Sequence, residues 1–242
     1  MSNTPEKFTK PRHEGIGALI DHSAKHWPES IALIDPEANW SLTYAELKCR
    51  AQSAAGWLDN LGLAQGSKVA IAAGNSVAAL ELLTGAFYGR FVPVPCNPDL
   101  GPKQLAYVLD HCDAEYLFAS PENRPALEDA SNQCPRKVEL IEVSRRLELP
   151  ASDICSTAGD PEDDVLMVYT SGTTATPKGV MQRNSGVFAA IESTVVTYNL
   201  SQDDRFLCVL PIHHANSINK IFATWLTGGT VVLPPRFEVR SF

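Results

Sequence analysis

Residues Tyr169 to Val180 read Tyr-Thr-Ser-Gly-Thr-Thr-Ala-Thr-Pro-Lys-Gly-Val. Hydroxyl side chains at Thr170, Ser171, Thr173, Thr174 and Thr176 alternate with Gly172 and Gly179, and Lys178 follows a proline that stiffens the exit. Such a run offers backbone N–H groups and hydroxyl donors without bulk, and ends on one compact cation. That is the donor set a polyphosphate requires. The plain alternative is a threonine-rich surface loop with a solvated lysine, and the packing of all these residues into one run weighs against it. A Walker loop is excluded by spacing, because it needs Gly-x-x-x-x-Gly-Lys-Ser/Thr, whereas here the next glycine after Gly172 is Gly179, beyond the lysine.

The element that must present this run is the apolar stretch Val165-Leu166-Met167-Val168-Tyr169, which has the length and β-branched content of a buried strand. On its far side Ser185 to Thr197 reads as a helix, with Asn184 or Ser185 as its cap. The loop is therefore expected to run from a buried strand into a helix.

At Tyr169–Val180 the chain resembles the adenylate-forming superfamily of acyl- and aryl-CoA synthetases, luciferases and peptide-synthetase adenylation domains. Its signature is Tyr-Thr-Ser-Gly-Ser/Thr-Thr-Gly-x-Pro-Lys-Gly-Val, and only Ala175 departs from it, replacing a glycine. A Cβ at a left-handed position would carry strain there. The resemblance extends to Leu42-Thr43-Tyr44-Ala45-Glu46-Leu47, to Gly85–Pro93, to Asn97-Pro98 (the form of the acyl-CoA synthetase branch), and to Leu210-Pro211-Ile212-His213-His214-Ala215-Asn216. By the last match His214 is the pocket histidine, His213 its neighbour, and Asn216 part of the same wall of the acyl pocket. Without the resemblance two adjacent histidines read first as structural, since neighbours on an extended segment point to opposite sides and do not readily share a metal.

Composition narrows the remaining classes. The chain has 242 residues, 44% hydrophobic and 20% charged, as expected of an α/β protein with a full core. A net charge of −8 argues against nucleic acid as a partner. No apolar run reaches membrane-spanning length, and the N-terminus lacks a signal peptide's apolar core. The six cysteines are scattered without a C-x-x-C pair, which points to reduced thiols, no zinc site and the cytoplasm.

In chain order, apolar spacing predicts a helix over 15–26 stopped by Trp27-Pro28, and strands at 31–35 and 40–43 around a turn at 36–39. Thr43-x-x-Glu46 is a capping box for a helix running to about Leu61, with Gly62 as its stop. Strands follow at 68–73, 91–94, 115–119 and 138–143, with helices at 77–88 (leucines on one face), 101–111 and 121–131 between them. The acidic run 159–164 reads as a solvated connector in preference to a metal site. Beyond the loop a strand is expected over 205–210, a helix carrying Phe222, Trp225 and Leu226 as core residues and ended by Gly228-Gly229, and a last strand over 230–233.

This alternation implies an α/β fold of mainly parallel sheets with helices on both faces, resembling the large N-terminal domain of adenylate-forming enzymes in incomplete form. A first α/β part is expected up to about residue 158, and the loop with the start of a second sheet from about 159. The resemblance further implies ATP-dependent activation of a small-molecule carboxylic acid to an acyl-adenylate, then transfer to CoA. Lys178 and Thr174 would act in catalysis, and Thr170, Ser171, Gly172, Thr173, Thr174, Thr176 and Lys178 would bind the ATP phosphates. The Mg2+ ligand, the ribose-binding aspartate and the C-terminal domain with its adenylation lysine find no counterpart in this chain, which alone is expected to be inactive. An amino-acid adenylation domain and a short non-catalytic nucleotide- or acyl-binding module remain open as alternatives.

Overall fold

The computed structural model describes residues 15–152, 154, 159–170 and 176–235. The first helix, α1 (Ile16–His26), buries Ile16, Leu19, Ile20 and Ala24, a helical stripe, and ends at Trp27. β1 (Ile31–Asp35) and β2 (Trp40–Thr43) form an antiparallel hairpin closed by the pair Asp35 and Trp40. Its turn contains Asn39 at φ 47°, a left-handed conformation that asparagine tolerates. The capping box is formed as expected: Thr43 N–H donates to Glu46 Oε2 at 2.7 Å and Glu46 N–H to Thr43 Oγ1 at 3.3 Å. It starts α2 (Tyr44–Asn60), and Gly62 beyond it adopts φ 86°.

Four parallel strands make the first sheet, in the order β4 (Val92–Pro95), β3 (Lys68–Ala72), β5 (Tyr116–Ala119), β6 (Glu139–Glu142). They are connected by α3 (Val77–Tyr88), α4 (Pro102–His111) and α5 (Arg124–Gln133). Strand alternation divides the core between the two faces. Val69, Ile71 and Phe118 join Leu58 of α2 and Leu80, Leu83 and Phe87 of α3 in one cluster. Ala70, Ala72 and Leu117 join Leu105 and Leu109 of α4 and Leu127 of α5 in another. Helices thus cover both faces. The leucine face expected of α3 is only part of its burial, because every residue of that helix is buried. Gly85 permits this: a Cβ there would lie 2.4 Å from Ala54 Cβ, so α2 and α3 meet backbone to backbone.

The second sheet runs β2-β1-β10-β9, with β9 (Arg205–Leu207) and β10 (Thr230–Val232) parallel to β1. It therefore joins the early and late parts of the described chain. Between its last strands lies α7 (Ala215–Leu226), which buries Ile218, Ile221, Phe222, Trp225 and Leu226. The Trp225 indole N–H donates to the Ala32 carbonyl at 2.9 Å and so ties α7 to β1. Phe222, Trp225 and Leu226 are core residues, as the sequence implied.

The remaining strands, β7 (Asp164–Thr170) and β8 (Lys178–Arg183), form an antiparallel hairpin followed by α6 (Asn184–Tyr198). Three expectations are corrected here. The loop after Thr170 does not lead directly into a helix; β8 intervenes. Neither Asn184 nor Ser185 caps α6 with its side chain. Their N–H groups donate instead to the carbonyls of Asp163 and Pro161, both at 2.9 Å, so the acidic connector's backbone does the capping. Finally, β9 stops at Leu207, short of Leu210, because the carbonyls of Cys208 and Leu210 turn away to the side chain of Asn75.

Candidate functional site

β7 is buried on both sides. Leu166 and Val168 enter the first cluster, and Met167 and Tyr169 face the second. A strand so fixed delivers its carboxyl end, Thr170, in a set position. Thr170 pairs across the hairpin with Lys178, and Tyr169 pairs with Gly179. Thr170, Thr176 and Lys178 are exposed, as a phosphate site requires. Ser171, Gly172, Thr173, Thr174 and Ala175 lie outside the described residues. The structure thus brings Thr170 and Lys178 together as the closing pair of the loop.

Gly179 is required by packing. A Cβ at this position would lie 2.4 Å from Met167 Cε and 3.1 Å from Tyr169 Cζ, because the tyrosine ring crosses the glycine. The Tyr169 hydroxyl reaches α4, where it lies 2.7 Å from His111 Nδ1 and donates to the Val108 carbonyl at 3.4 Å. The 2.7 Å contact joins His111 and the hydroxyl, with the donor set by the imidazole tautomer, and the Val108 carbonyl also accepts the Cys112 N–H at 3.0 Å. Burial pushes the pKa of the Tyr169 hydroxyl well above its ordinary value, aided by nearby Cys112 and Cys96, which keeps it a neutral hydrogen-bonding group.

His213, His214 and Asn216 occupy the turn that starts α7. They are not on an extended segment: His214 N–H donates to the Pro211 carbonyl at 3.0 Å, and the two imidazoles lie 4.6 Å apart between centroids, tilted by 43°. His213 is half-buried, while His214 and Asn216 are exposed. Burial, with the neighbouring His214, draws the His213 pKa down to about 4 against the opposing pull of Asp99, so His213 is neutral at pH 7.

Sequence reading missed Asn75, the residue that holds this turn. Its amide donates to Cys208 O at 3.5 Å and Leu210 O at 3.2 Å and accepts from Ile212 N at 2.8 Å. The available signal was its place just after β3, at the carboxyl end of a parallel strand. His111, at the end of α4, gave no signal at all. The acidic connector is bound up in its own turn: Asp163 accepts from Asp160 N–H at 2.9 Å and pairs with Arg90 at 2.7 Å, and Asp160 accepts from Glu162 N–H at 2.8 Å. Among the described residues no group of three His, Cys, Asp or Glu side chains is placed to hold a metal, and no helix is long and apolar enough to cross a membrane.

The sequence profile of the family described as AMP-binding enzyme matches residues 20–242. The chain belongs to that family. Among curated proteins it is similar to a sulfoacetate–CoA ligase of Cupriavidus necator, 32% identical over 98% of this chain and 47% of the relative. It is 26% identical to the long-chain-fatty-acid–CoA ligase FadD13 of Mycobacterium tuberculosis, over 93% of this chain and 46% of that one. The inhibitor-bound N-terminal domain of FACL13 from the same organism superposes with a TM-score of 0.87 at 27% identity, covering 94% of this chain and 59% of that one. The α/β architecture is thus that of the N-terminal domain of fatty acyl-CoA ligases. The chain spans about half the length of the curated relatives it matches.

Proposed function

We propose that this chain supplies the phosphate-binding part of an AMP-forming acid–thiol ligase. The observation that carries the reading is the hairpin neck, which sets Thr170 and Lys178 side by side at the end of a strand buried on both faces, within a chain of the AMP-binding family. A carboxylate oxygen attacks the α-phosphorus of ATP, and the bond to pyrophosphate breaks. Negative charge then builds on the leaving group. Thr170, Ser171, Gly172, Thr173, Thr174, Thr176 and Lys178 are its donors, with Lys178 and Thr174 acting directly on the transition state. Each well-placed donor of this kind is worth about 3 kcal/mol.

The resulting acyl-adenylate passes its acyl group to the thiol of CoA. CoA is favoured over a carrier protein because the relatives compared above are CoA ligases. His214, His213 and Asn216 line one side of the carboxylic-acid pocket, with neutral His213 and Asn75 fixing the turn. The magnesium that accompanies ATP is assigned to residues outside this chain. The cytoplasm, where ATP and CoA are available, is the proposed location.

The test is ATP–pyrophosphate exchange by this chain and by the product of the uninterrupted reading frame, across fatty, aromatic and sulfonated acids. Exchange by the longer product is expected, with Lys178→Ala lowering it about 10- to 100-fold, the range of a lost charge-assisted hydrogen bond. Unaltered exchange in that variant would sink the assignment of the loop.

A further inference from the structure

The hairpin neck is tied to α4 through the Tyr169 hydroxyl. Tyr169 lies one residue before the closing pair Thr170 and Lys178, and its ring crosses Gly179, the residue after Lys178. Its hydroxyl ends on α4, between His111 Nδ1 at 2.7 Å and the Val108 carbonyl at 3.4 Å. The His111 ring stands edge-on to the tyrosine at 5.8 Å and packs on Tyr107 at 5.5 Å. The Tyr169 ring thus packs against the backbone that directly follows Lys178. The half-buried hydroxyl has a full set of partners only while His111 stays in place.

We propose that His111 is a positioning residue for the phosphate loop, acting through the Tyr169 hydroxyl to fix the direction in which Lys178 leaves the hairpin. The proposal rests on the phosphate-binding reading above and extends it to a side chain on a different helix, far from the loop in sequence. His111 touches no reacting atom in this scheme; it acts on how Lys178 is aligned when charge builds on pyrophosphate.

The experiment is a double-mutant cycle in the product of the uninterrupted reading frame, following kcat and the KM values for ATP and the acid in ATP–pyrophosphate exchange. His111→Ala and Tyr169→Phe are each expected to lower kcat about 3- to 10-fold, the equivalent of one neutral hydrogen bond. The acid KM should stay unchanged. The double variant should be no slower than Tyr169→Phe alone, because that variant already removes the bond to His111 together with the weaker one to the Val108 carbonyl. His111→Asn, whose amide takes the place of Nδ1, should recover kcat to within about twofold of the parent. Additive losses, failure of the asparagine to rescue, or a fall in thermal midpoint with kcat intact would each overturn the proposal. Lys178→Ala separates the two levels. If it slows exchange and His111→Ala does not, only the positioning role falls; if neither variant changes exchange, the phosphate-loop reading falls as well.

Discussion

The described residues contain two antiparallel hairpins built on the same plan and finished in opposite ways. Both slip register near their open ends, between Ile31 and Leu33 in β1–β2 and between Asp164 and Leu166 in β7–β8. In the first, the closing pair is Asp35 and Trp40, and the Asp35 carboxylate is 2% exposed. It accepts from Glu37 and Ala38 N–H at 3.2 Å each and from two nitrogens of Arg145 at 2.7 Å. Arg146 lies over the Trp40 ring at 4.9 Å. The carboxylate thus takes up the Glu37 and Ala38 N–H groups of the turn and is itself neutralised by Arg145. In the second, the closing pair is Thr170 and Lys178, both exposed, and the run from Ser171 to Pro177 contains no carboxylate. An acid at the neck takes up the donors of its own turn, whereas the exposed hydroxyl and lysine at the second neck are of the type an anion would use.

The strongest way to break this contrast is at the neck of the open hairpin. Gly179→Ala puts a methyl group into Met167 and the Tyr169 ring, and overpacking of this kind costs about 1–3 kcal/mol of stability. The expected result is a drop of at least tenfold in pyrophosphate exchange by the uninterrupted product, from Lys178 displaced with the backbone. Kinetics and a thermal melt of the same variant check both halves of that expectation.

The contrast also marks what could be read from residue order. The capping box at Thr43 and Glu46, the helices at 16–26 and 77–88 and the parallel strands were legible because each rests on local chemistry or strict periodicity. β8 was not, since Lys-Gly-Val-Met-Gln-Arg carries a glycine and charges at both ends and becomes a strand only by pairing with β7. The histidine turn was misread as extended for a similar reason. Its conformation is imposed by Asn75, whose three bonds to it cross more than 130 positions of sequence. The loop residues were recognisable by type, but their anchors, His111 and Asn75, are long-range contacts that no spacing rule reports.

A smaller effect is expected at the sealed hairpin. Asp35→Ala leaves two turn N–H groups without their acceptor and Arg145 paired with Glu37, at a cost of about 1–3 kcal/mol. Because this hairpin lies outside the proposed chemistry, pyrophosphate exchange per folded molecule should be unchanged. Denaturant titration gives the first number and exchange normalised to folded protein the second. A loss of exchange comparable to that of Gly179→Ala would erase the division between a structural and a functional hairpin.

The smallest effect concerns acid. Burial favours the neutral form of Asp35, but Arg145 and the N–H groups of Ala38 and Glu37 outweigh it and hold the carboxyl below its ordinary value. A folded-state pKa lower than the unfolded one means that the unfolded chain binds more protons in this range. The stabilisation is therefore present above the ordinary carboxylate value of about 4 and is lost as pH falls from there through the folded-state value. Asp35→Asn removes this proton uptake, so its thermal midpoint should fall less than that of the parent between pH 5 and about pH 3. Glu81 works in the other direction: burial raises its pKa despite the hydrogen bonds from Arg50 and the Leu147 N–H. Part of the acid loss from Asp35 is thus offset in the parent chain, and the comparison must be made as a difference between variant and parent at each pH. Parallel pH curves for the two would show that the carboxylate does not seal the first hairpin and would remove the contrast with the exposed pair Thr170 and Lys178.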